Sequence, residues 1–158
     1  MPLQFSPEKQ KAFDELLPRY AKKQAALLPT LWLAQEDFGH LSPEALEYVA
    51  KVLELPASHV YATATFYTMY DLQKPGKYKI EVCRTLSCAM CGAFEILEHL
   101  EKKLGIGVGE TSADGRYTLG TAECLGSCGT APMFQINGKP YYENLTIEKV
   151  DEILAGLA

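Results

Sequence analysis

Five cysteines are the residues of this chain whose type and spacing are best suited to chemistry. They are Cys83, Cys88, Cys91, Cys124 and Cys128. The first two form a C-x4-C motif, and the last two form a C-x3-C motif. Thiolates bind iron and zinc, and paired thiols exchange with disulfides. The spacing therefore indicates either a metal centre or a dithiol redox site.

The composition limits where these cysteines act and on what. The chain has 158 residues, of which 47% are hydrophobic and 22% charged, as in ordinary globular domains. A net charge of -5 argues against nucleic acid as a partner, because phosphate binding needs a basic surface. No apolar run is long enough to cross a membrane, and residues 1–5 lack the pattern of a secretory signal. We therefore expect a cytoplasmic chain with no direct membrane insertion, in which cysteines stay reduced unless a metal binds them.

The segment before the cysteines is predicted to be helical. Ser6-Pro7 and Ser42-Pro43 each offer an N-cap residue with proline at the first helical position. Apolar residues follow both with helical spacing: Phe13, Leu16, Leu17 and Tyr20 after the first, and Leu46, Val49, Ala50 and Leu53 after the second. Further helices are predicted from about Gln24 to Phe38 and from Pro56 to about Thr65. We expect residues 1–75 to form a helical domain.

The pattern changes at Lys74-Pro75-Gly76, and residues 76–158 are predicted to form a second domain. The predicted elements are strands at 78–83, 117–122, 133–136 and 139–142, a helix reaching about Leu104, and a final helix after Thr146. Asn137-Gly138 predicts the hairpin between the last two strands. This β-α-β-β-α order predicts a thioredoxin-like α/β domain with a mixed sheet. The expected fold class is therefore α+β, a helical bundle followed by that domain.

The predicted topology brings both cysteine motifs to one edge of the sheet. Cys83 ends one strand and Cys124 follows the next, and parallel strands end at the same edge. Two thiolates from each loop suit a two-iron cluster. A helix N-terminus near Cys88 would stabilise thiolates. Gly126 and Gly129 would let the second loop turn tightly and direct backbone N–H groups at sulfur.

Spacing alone leaves four interpretations of the cysteines open. A zinc-stabilised interaction module would use four cysteine ligands. A thioredoxin-type dithiol would use Cys88 and Cys91. A plant-type ferredoxin would use Cys83, Cys88, Cys91 and Cys124, although the chain before Cys83 would then be mainly strand. The fourth interpretation places Cys83, Cys88, Cys124 and Cys128 around a [2Fe–2S] cluster, with Cys91 outside it.

The glycine-rich segment at 105–109 does not supply a nucleotide site. Its G-x-G-x-G spacing follows a helix instead of a strand, so it does not match the dinucleotide fingerprint. We also find no phosphate-binding loop of the Gly-Lys-Ser/Thr type. We therefore expect no nucleotide-binding site of either type on this chain.

Three motifs make the chain resemble the thioredoxin-like [2Fe–2S] subunit of NADH:quinone oxidoreductase, respiratory complex I. They are Ala64-Thr65-Phe66-Tyr67, Cys83-x4-Cys88, and Glu123-Cys124-Leu125-Gly126-Ser127-Cys128 followed by Ala131-Pro132. The resemblance covers nearly the whole chain. Similar subunits occur in NAD-linked hydrogenases and formate dehydrogenases. Stand-alone thioredoxin-like ferredoxins lack a helical N-terminal domain, so its presence here indicates a complex.

The resemblance implies an electron-transfer subunit of an NADH dehydrogenase complex, with no catalytic residue or substrate site of its own. Its implied cluster ligands are Cys83, Cys88, Cys124 and Cys128. The [2Fe–2S] cluster would exchange single electrons with FMN on a partner flavoprotein that oxidises NADH. Other peripheral-arm subunits would complete the complex on the cytoplasmic side of the membrane. An equivalent diaphorase subunit of a soluble hydrogenase or formate dehydrogenase is the alternative.

Overall fold

The computed structural model of the chain describes residues 3–157. Contacts between Cα atoms divide the chain into two compact units, residues 1–74 and residues 75–158. The first unit is helical, and the second combines helices with a four-stranded mixed sheet. The predicted α+β fold class is confirmed.

Within residues 3–74, four α-helices build the first unit. They are α1 (Pro7–Leu16), α2 (Leu27–Phe38), α3 (Pro43–Leu53) and α4 (Ala57–Phe66). The side chains of Ser6 and Ser42 cap α1 and α3 by accepting hydrogen bonds from the backbone N–H groups of Lys9 and Ala45. Both predicted N-caps are therefore present, and each satisfies one N–H group that the helix leaves free.

Two helix boundaries in this unit differ from the prediction. The first helix ends at Leu16 and gives way to a 3₁₀-helix at Leu17–Arg19, which contains a proline, so Tyr20 is exposed instead of continuing the apolar face. The second helix begins at Leu27 instead of Gln24, because Lys23–Ala26 forms another 3₁₀-helix. Pro29 then lies in the first turn of α2, where its missing N–H group removes no hydrogen bond.

The segment after α4 is tied to α2 by polar contacts. The Tyr70 hydroxyl donates a hydrogen bond to the Leu28 carbonyl oxygen at 2.9 Å. The Gln35 side chain donates to the Met69 carbonyl oxygen at 3.1 Å and accepts from the Asp71 N–H group at 2.6 Å. Tyr70 is buried together with the leucines of the helices. Residues 69–71, which follow α4, are therefore held against α2 by both burial and hydrogen bonds.

In the described part of the second unit, residues 75–157, there are four strands and three α-helices. They are β1 (Tyr78–Cys83), α5 (Leu86–Met90), α6 (Ala93–Leu104), β2 (Tyr117–Ala122), β3 (Phe134–Ile136), β4 (Tyr141–Tyr142) and α7 (Ile147–Gly156). The strand order is β2-β1-β3-β4, with β1 and β2 parallel and the other pairs antiparallel. Asn137-Gly138 forms the predicted hairpin between β3 and β4.

One predicted helix of this unit is divided in two. We expected a continuous helix from the Cys88 region to Leu104, but α5 ends at Met90 and α6 begins at Ala93. Gly92 lies between them with φ 97°, a left-handed conformation that residues with a side chain rarely adopt. The left-handed residue Gly92 therefore separates the two helices.

The core of the second unit lies between the sheet and its helices. Its buried residues include Ile80, Val82 and Leu119 of the strands, Ile96 and Leu100 of α6, and Val150 and Leu154 of α7. Cys83 and Cys88 belong to the same apolar cluster. Across residues 3–157, no helix is both long and apolar enough to cross a membrane.

Candidate functional site

The two cysteine loops leave the same edge of the sheet. Cys83 is the last residue of β1, and it is paired with Ala122, the last residue of β2. The Arg84 N–H group donates to the Ala122 carbonyl oxygen at 3.1 Å, which extends the pairing one residue into the first loop. The parallel arrangement therefore places both loops together, as the topology predicts.

Cys83 and Cys88 form a buried pair of thiols. Their residues are 4% and 2% exposed, and the two side chains hydrogen-bond to each other. Burial acts to raise the pKa of Cys83. Hydrogen bonds from the backbone N–H groups of Thr85 and Leu125 and from Cys88 outweigh burial, so the pKa of Cys83 is lowered. Because Leu125 lies in the second loop, the two loops meet at this sulfur.

Cys88 differs from the expectation for a cysteine near a helix N-terminus. It lies in the first turn of α5, where the backbone would favour a thiolate. Burial nevertheless raises the pKa of Cys88 to about 11, and the neighbouring Cys83 and Cys128 add to the rise, while the Met133 N–H group opposes it. Desolvation therefore outweighs the end of this five-residue helix.

The second loop presents its cysteines to solvent. Cys124 and Cys128 are both exposed, and Cys128 begins a short 3₁₀-helix, Cys128–Thr130, that contacts α5. Among residues 3–157, no three His, Cys, Asp or Glu side chains lie close enough together to hold a metal ion as they stand. The structure brings Cys83 and Cys88 together and places the loop of Cys128 beside them. The four-cysteine ligand set stays a prediction.

Cys91 lies outside the buried thiol pair. A free cysteine on a helix is commonly a small buried apolar residue, but Cys91 is exposed. The reason is its position: it follows the last residue of α5 and directly precedes the turn at Gly92.

We expected both Gly126 and Gly129 to allow a tight turn in the second loop, and one of them has the left-handed backbone of such a turn. Gly126 has φ 77°, in the left-handed region. It follows Leu125, whose N–H group reaches Cys83. Gly129, in contrast, lies within the 3₁₀-helix Cys128–Thr130 without a left-handed φ.

Two sets of polar contacts at the loops were missed by the sequence reasoning. Arg84 and Glu123, which directly adjoin Cys83 and Cys124, form an ion pair between the two loops. Glu143 accepts hydrogen bonds from the hydroxyls of Ser127 and Thr130. The sequence does indicate the first contact, because Arg84 and Glu123 carry opposite charges and each adjoins a cysteine at the end of a predicted strand. It does not indicate the second, because Glu143 lies beyond the hairpin.

The donor set suits an iron–sulfur cluster. Two of the thiols are buried, one at the end of β1 and one in the first turn of α5. Backbone N–H groups are directed at their sulfur atoms, and two more cysteines lie on the adjoining loop. Hydrogen bonds to sulfur stabilise thiolates and influence the reduction potential of a cluster.

Comparison with known proteins agrees with this chemistry. NADH-quinone oxidoreductase subunit 2 of Thermus thermophilus is 39% identical over 155 residues, which is 97% of this chain and 86% of that protein. A subunit of NADH-quinone oxidoreductase from Rickettsia felis is 44% identical over 144 residues, covering 89% of this chain and 86% of that protein. The crystal structure of an NAD⁺-reducing [NiFe]-hydrogenase in its air-oxidised state superimposes with a TM-score of 0.74 at 26% identity. That match covers 84% of this chain but 22% of the hydrogenase chain.

The family is shown by a model that spans both units. The model described as thioredoxin-like [2Fe–2S] ferredoxin matches residues 13–158, which include all five cysteines. The resemblance expected from the cysteine motifs is confirmed. This chain belongs to the thioredoxin-like [2Fe–2S] ferredoxin family.

Proposed function

We propose that the chain is the electron-carrying subunit of an NADH dehydrogenase complex of the NADH:quinone oxidoreductase type. The observation that carries the proposal is the meeting of the two cysteine loops at Cys83, which contacts the Cys88 thiol and the Leu125 N–H group. The names of relatives at 39% and 44% identity over most of the chain support the assignment to this type of complex.

The proposed ligands of the cluster are Cys83, Cys88, Cys124 and Cys128. A bound [2Fe–2S] cluster supplies one-electron chemistry. The chain contributes thiolates, N–H groups that stabilise them, and an apolar core beneath the Cys83–Cys88 pair. The exposed cysteines of the second loop lie on the solvent side, where a partner protein has access.

The proposed partner is a flavoprotein subunit that binds FMN and NADH. Three large apolar side chains lie exposed beside the first cysteine loop: Leu86, Met90 and Phe94, at 75%, 79% and 57%. Large exposed apolar side chains on consecutive helices are candidates for a protein interface. We infer that this face meets the flavoprotein, and that the helical domain, residues 1–75, clamps it while residues 76–158 carry the cluster. Such an arrangement fits the peripheral arm of a complex on the cytoplasmic side of the membrane.

A second candidate complex is a soluble NAD-linked hydrogenase. The structural similarity to an NAD⁺-reducing [NiFe]-hydrogenase favours it, and the same chain would serve as a diaphorase subunit there. Both candidates assign the same role to the cysteines and the same kind of partner. They differ in the electron acceptor, which lies outside this chain.

Reconstitution with a partner tests the proposed function. The anaerobically purified chain is mixed with the FMN-binding subunit of an NADH-quinone oxidoreductase, and NADH is added. We expect a stable complex and bleaching of the visible absorbance by NADH only when the flavoprotein is present. A colourless, zinc-loaded chain, or turnover of disulfides that depends on Cys88 and Cys91, would contradict the proposal.

A further inference from the structure

Glu143 joins the segment after β4 to the second cysteine loop. Its carboxylate oxygen Oε1 accepts a hydrogen bond from the Thr130 hydroxyl at 2.6 Å and another from the Ser127 hydroxyl. The two hydroxyl oxygens lie 2.8 Å apart. One carboxylate oxygen thus holds the residues on both sides of Cys128-Gly129.

Backbone contacts continue the same connection. The Asn144 N–H group donates to the Thr130 carbonyl oxygen at 2.7 Å, and the Leu145 N–H group donates to the Pro132 carbonyl oxygen at 3.0 Å. Leu145 is buried in the core of the second unit. Segment 143–145 therefore lies alongside 127–132 and ties that stretch to the core.

Glu143 is itself held from the other side. The Lys149 ammonium of α7 donates to its backbone carbonyl oxygen at 2.5 Å, and the Thr146 side chain caps α7. The half-buried Glu143 carboxylate therefore belongs to a segment that α7 holds in place. Cys128, in contrast, is exposed on the loop that this carboxylate contacts. Hydrogen bonds to an ionised carboxylate are stronger than those between neutral groups.

We propose that Glu143 is a positioning residue for Cys128: by fixing Ser127 and Thr130 it holds the second cysteine loop in place for the cluster. This inference rests on the proposed function. Glu143 itself would make no contact with the cluster and take part in no step of electron transfer. Its effect is on how firmly the fourth thiolate is held.

The test compares cluster retention in full-length variants loaded with iron and sulfide. The rate of loss of visible absorbance is measured in excess iron chelator. Glu143→Ala is expected to lose the cluster about threefold faster than wild type or more, because the loop loses its carboxylate acceptor. Glu143→Gln keeps an oxygen acceptor but loses the charge, so its rate of loss is expected to lie between those of wild type and Glu143→Ala. Glu152→Ala, on an exposed face of α7, is the matched control and should behave as wild type.

A second variant removes the donors instead of the acceptor. The double substitution Ser127→Ala/Thr130→Val should accelerate loss as Glu143→Ala does. Combining all three changes should add little, because residues of one hydrogen-bond network are not additive. This variant also keeps the test available if Glu143→Ala fails to fold.

Three results would overturn the inference. They are wild-type retention in both Glu143→Ala and the double variant, equal loss in Glu143→Gln and Glu143→Ala, and additive losses in the combined variant. A wild-type chain that binds no cluster would refute the proposed function as well. A wild-type cluster that Glu143→Ala and the double variant both hold equally well would refute this inference alone.

Discussion

Single residues decide the chemistry of the site, and neighbouring cysteines have different surroundings. Cys83 receives N–H groups from both loops, which lower its pKa despite its burial. At Cys88 burial is the largest effect and the neighbouring Cys83 adds to it, so the pKa is raised. Cys91, Cys124 and Cys128 are exposed. Sequence spacing identifies all five positions but not these differences, because burial and N–H contacts depend on the tertiary fold.

The exposed cysteines allow a direct test of which thiols bind iron. We expect Cys91→Ala to leave the iron content and visible spectrum nearly unchanged, because Cys91 lies past the end of α5, outside the buried pair. Cys128→Ala is expected to lose or destabilise the cluster through loss of one thiolate ligand. Iron analysis and absorbance spectra measure both. Loss of iron from Cys91→Ala together with retention in Cys128→Ala would instead indicate the plant-type ligand set.

Burial of Tyr70 predicts a loss of stability at high pH. Desolvation raises the pKa of this phenol to about 12 from its ordinary 10.0. Below pH 10 it is protonated in the folded and unfolded chains alike. Above pH 10 Tyr70 ionises in the unfolded chain before it ionises in the folded chain. The free energy of unfolding therefore falls as the pH rises towards 12.

Urea unfolding across this pH range measures the effect. Tyr70→Phe should show a shallower fall in stability than wild type, whereas Tyr141→Phe, at an exposed tyrosine, should keep the wild-type slope. Equal slopes in wild type and Tyr70→Phe would show that Tyr70 does not cause the fall.

At the scale of elements, most of the fold was predictable from local pattern. Serine-proline caps, alternating strand residues and the Asn137-Gly138 turn each depend on neighbouring residues, and each element is present. The division of the helix after β1 was missed, because α5 is short and a single glycine within a helical pattern does not by itself indicate a break. The contact of Glu143 with Ser127 was missed because these residues are 16 positions apart.

The break at Gly92 predicts a position where alanine is destabilising. Its φ of 97° is unfavourable for any side chain, and an added Cβ would lie 3.0 Å from the Glu95 Oε2 atom. Gly92→Ala is expected to lower the free energy of unfolding by roughly 1–2 kcal/mol. Gly156→Ala in α7, where an added Cβ meets open space, should be neutral or stabilising by up to about 1 kcal/mol. Urea unfolding compares them, and a neutral Gly92→Ala would contradict this account of the break.

At the scale of the whole molecule, each unit has its own core. The second unit carries the cysteines, and apolar side chains remain exposed beside them. Sequence pattern separates the helical part from the mixed sheet. It does not distinguish apolar residues of the core from those of a partner surface, because Leu86 and Phe94 have the same residue types as the buried positions around them.

The exposed apolar face predicts a partner-binding phenotype. Met90→Lys places a charge where the flavoprotein is proposed to bind, so it should weaken the complex about tenfold or more. The visible spectrum should stay unchanged, since the Met90 side chain lies in solvent. Val108→Lys, at an exposed position in the loop between α6 and β2, is the control and should bind as wild type does. Calorimetric titration gives both affinities, and unaltered binding by Met90→Lys would refute this surface.

The most direct test of the central claim is the visible spectrum of the anaerobically purified chain, recorded together with its iron and sulfide content. We expect broad absorbance that bleaches on addition of dithionite, with two iron atoms per chain as a [2Fe–2S] cluster requires. A colourless protein without iron after reconstitution would contradict the claim that the two cysteine loops hold this cluster.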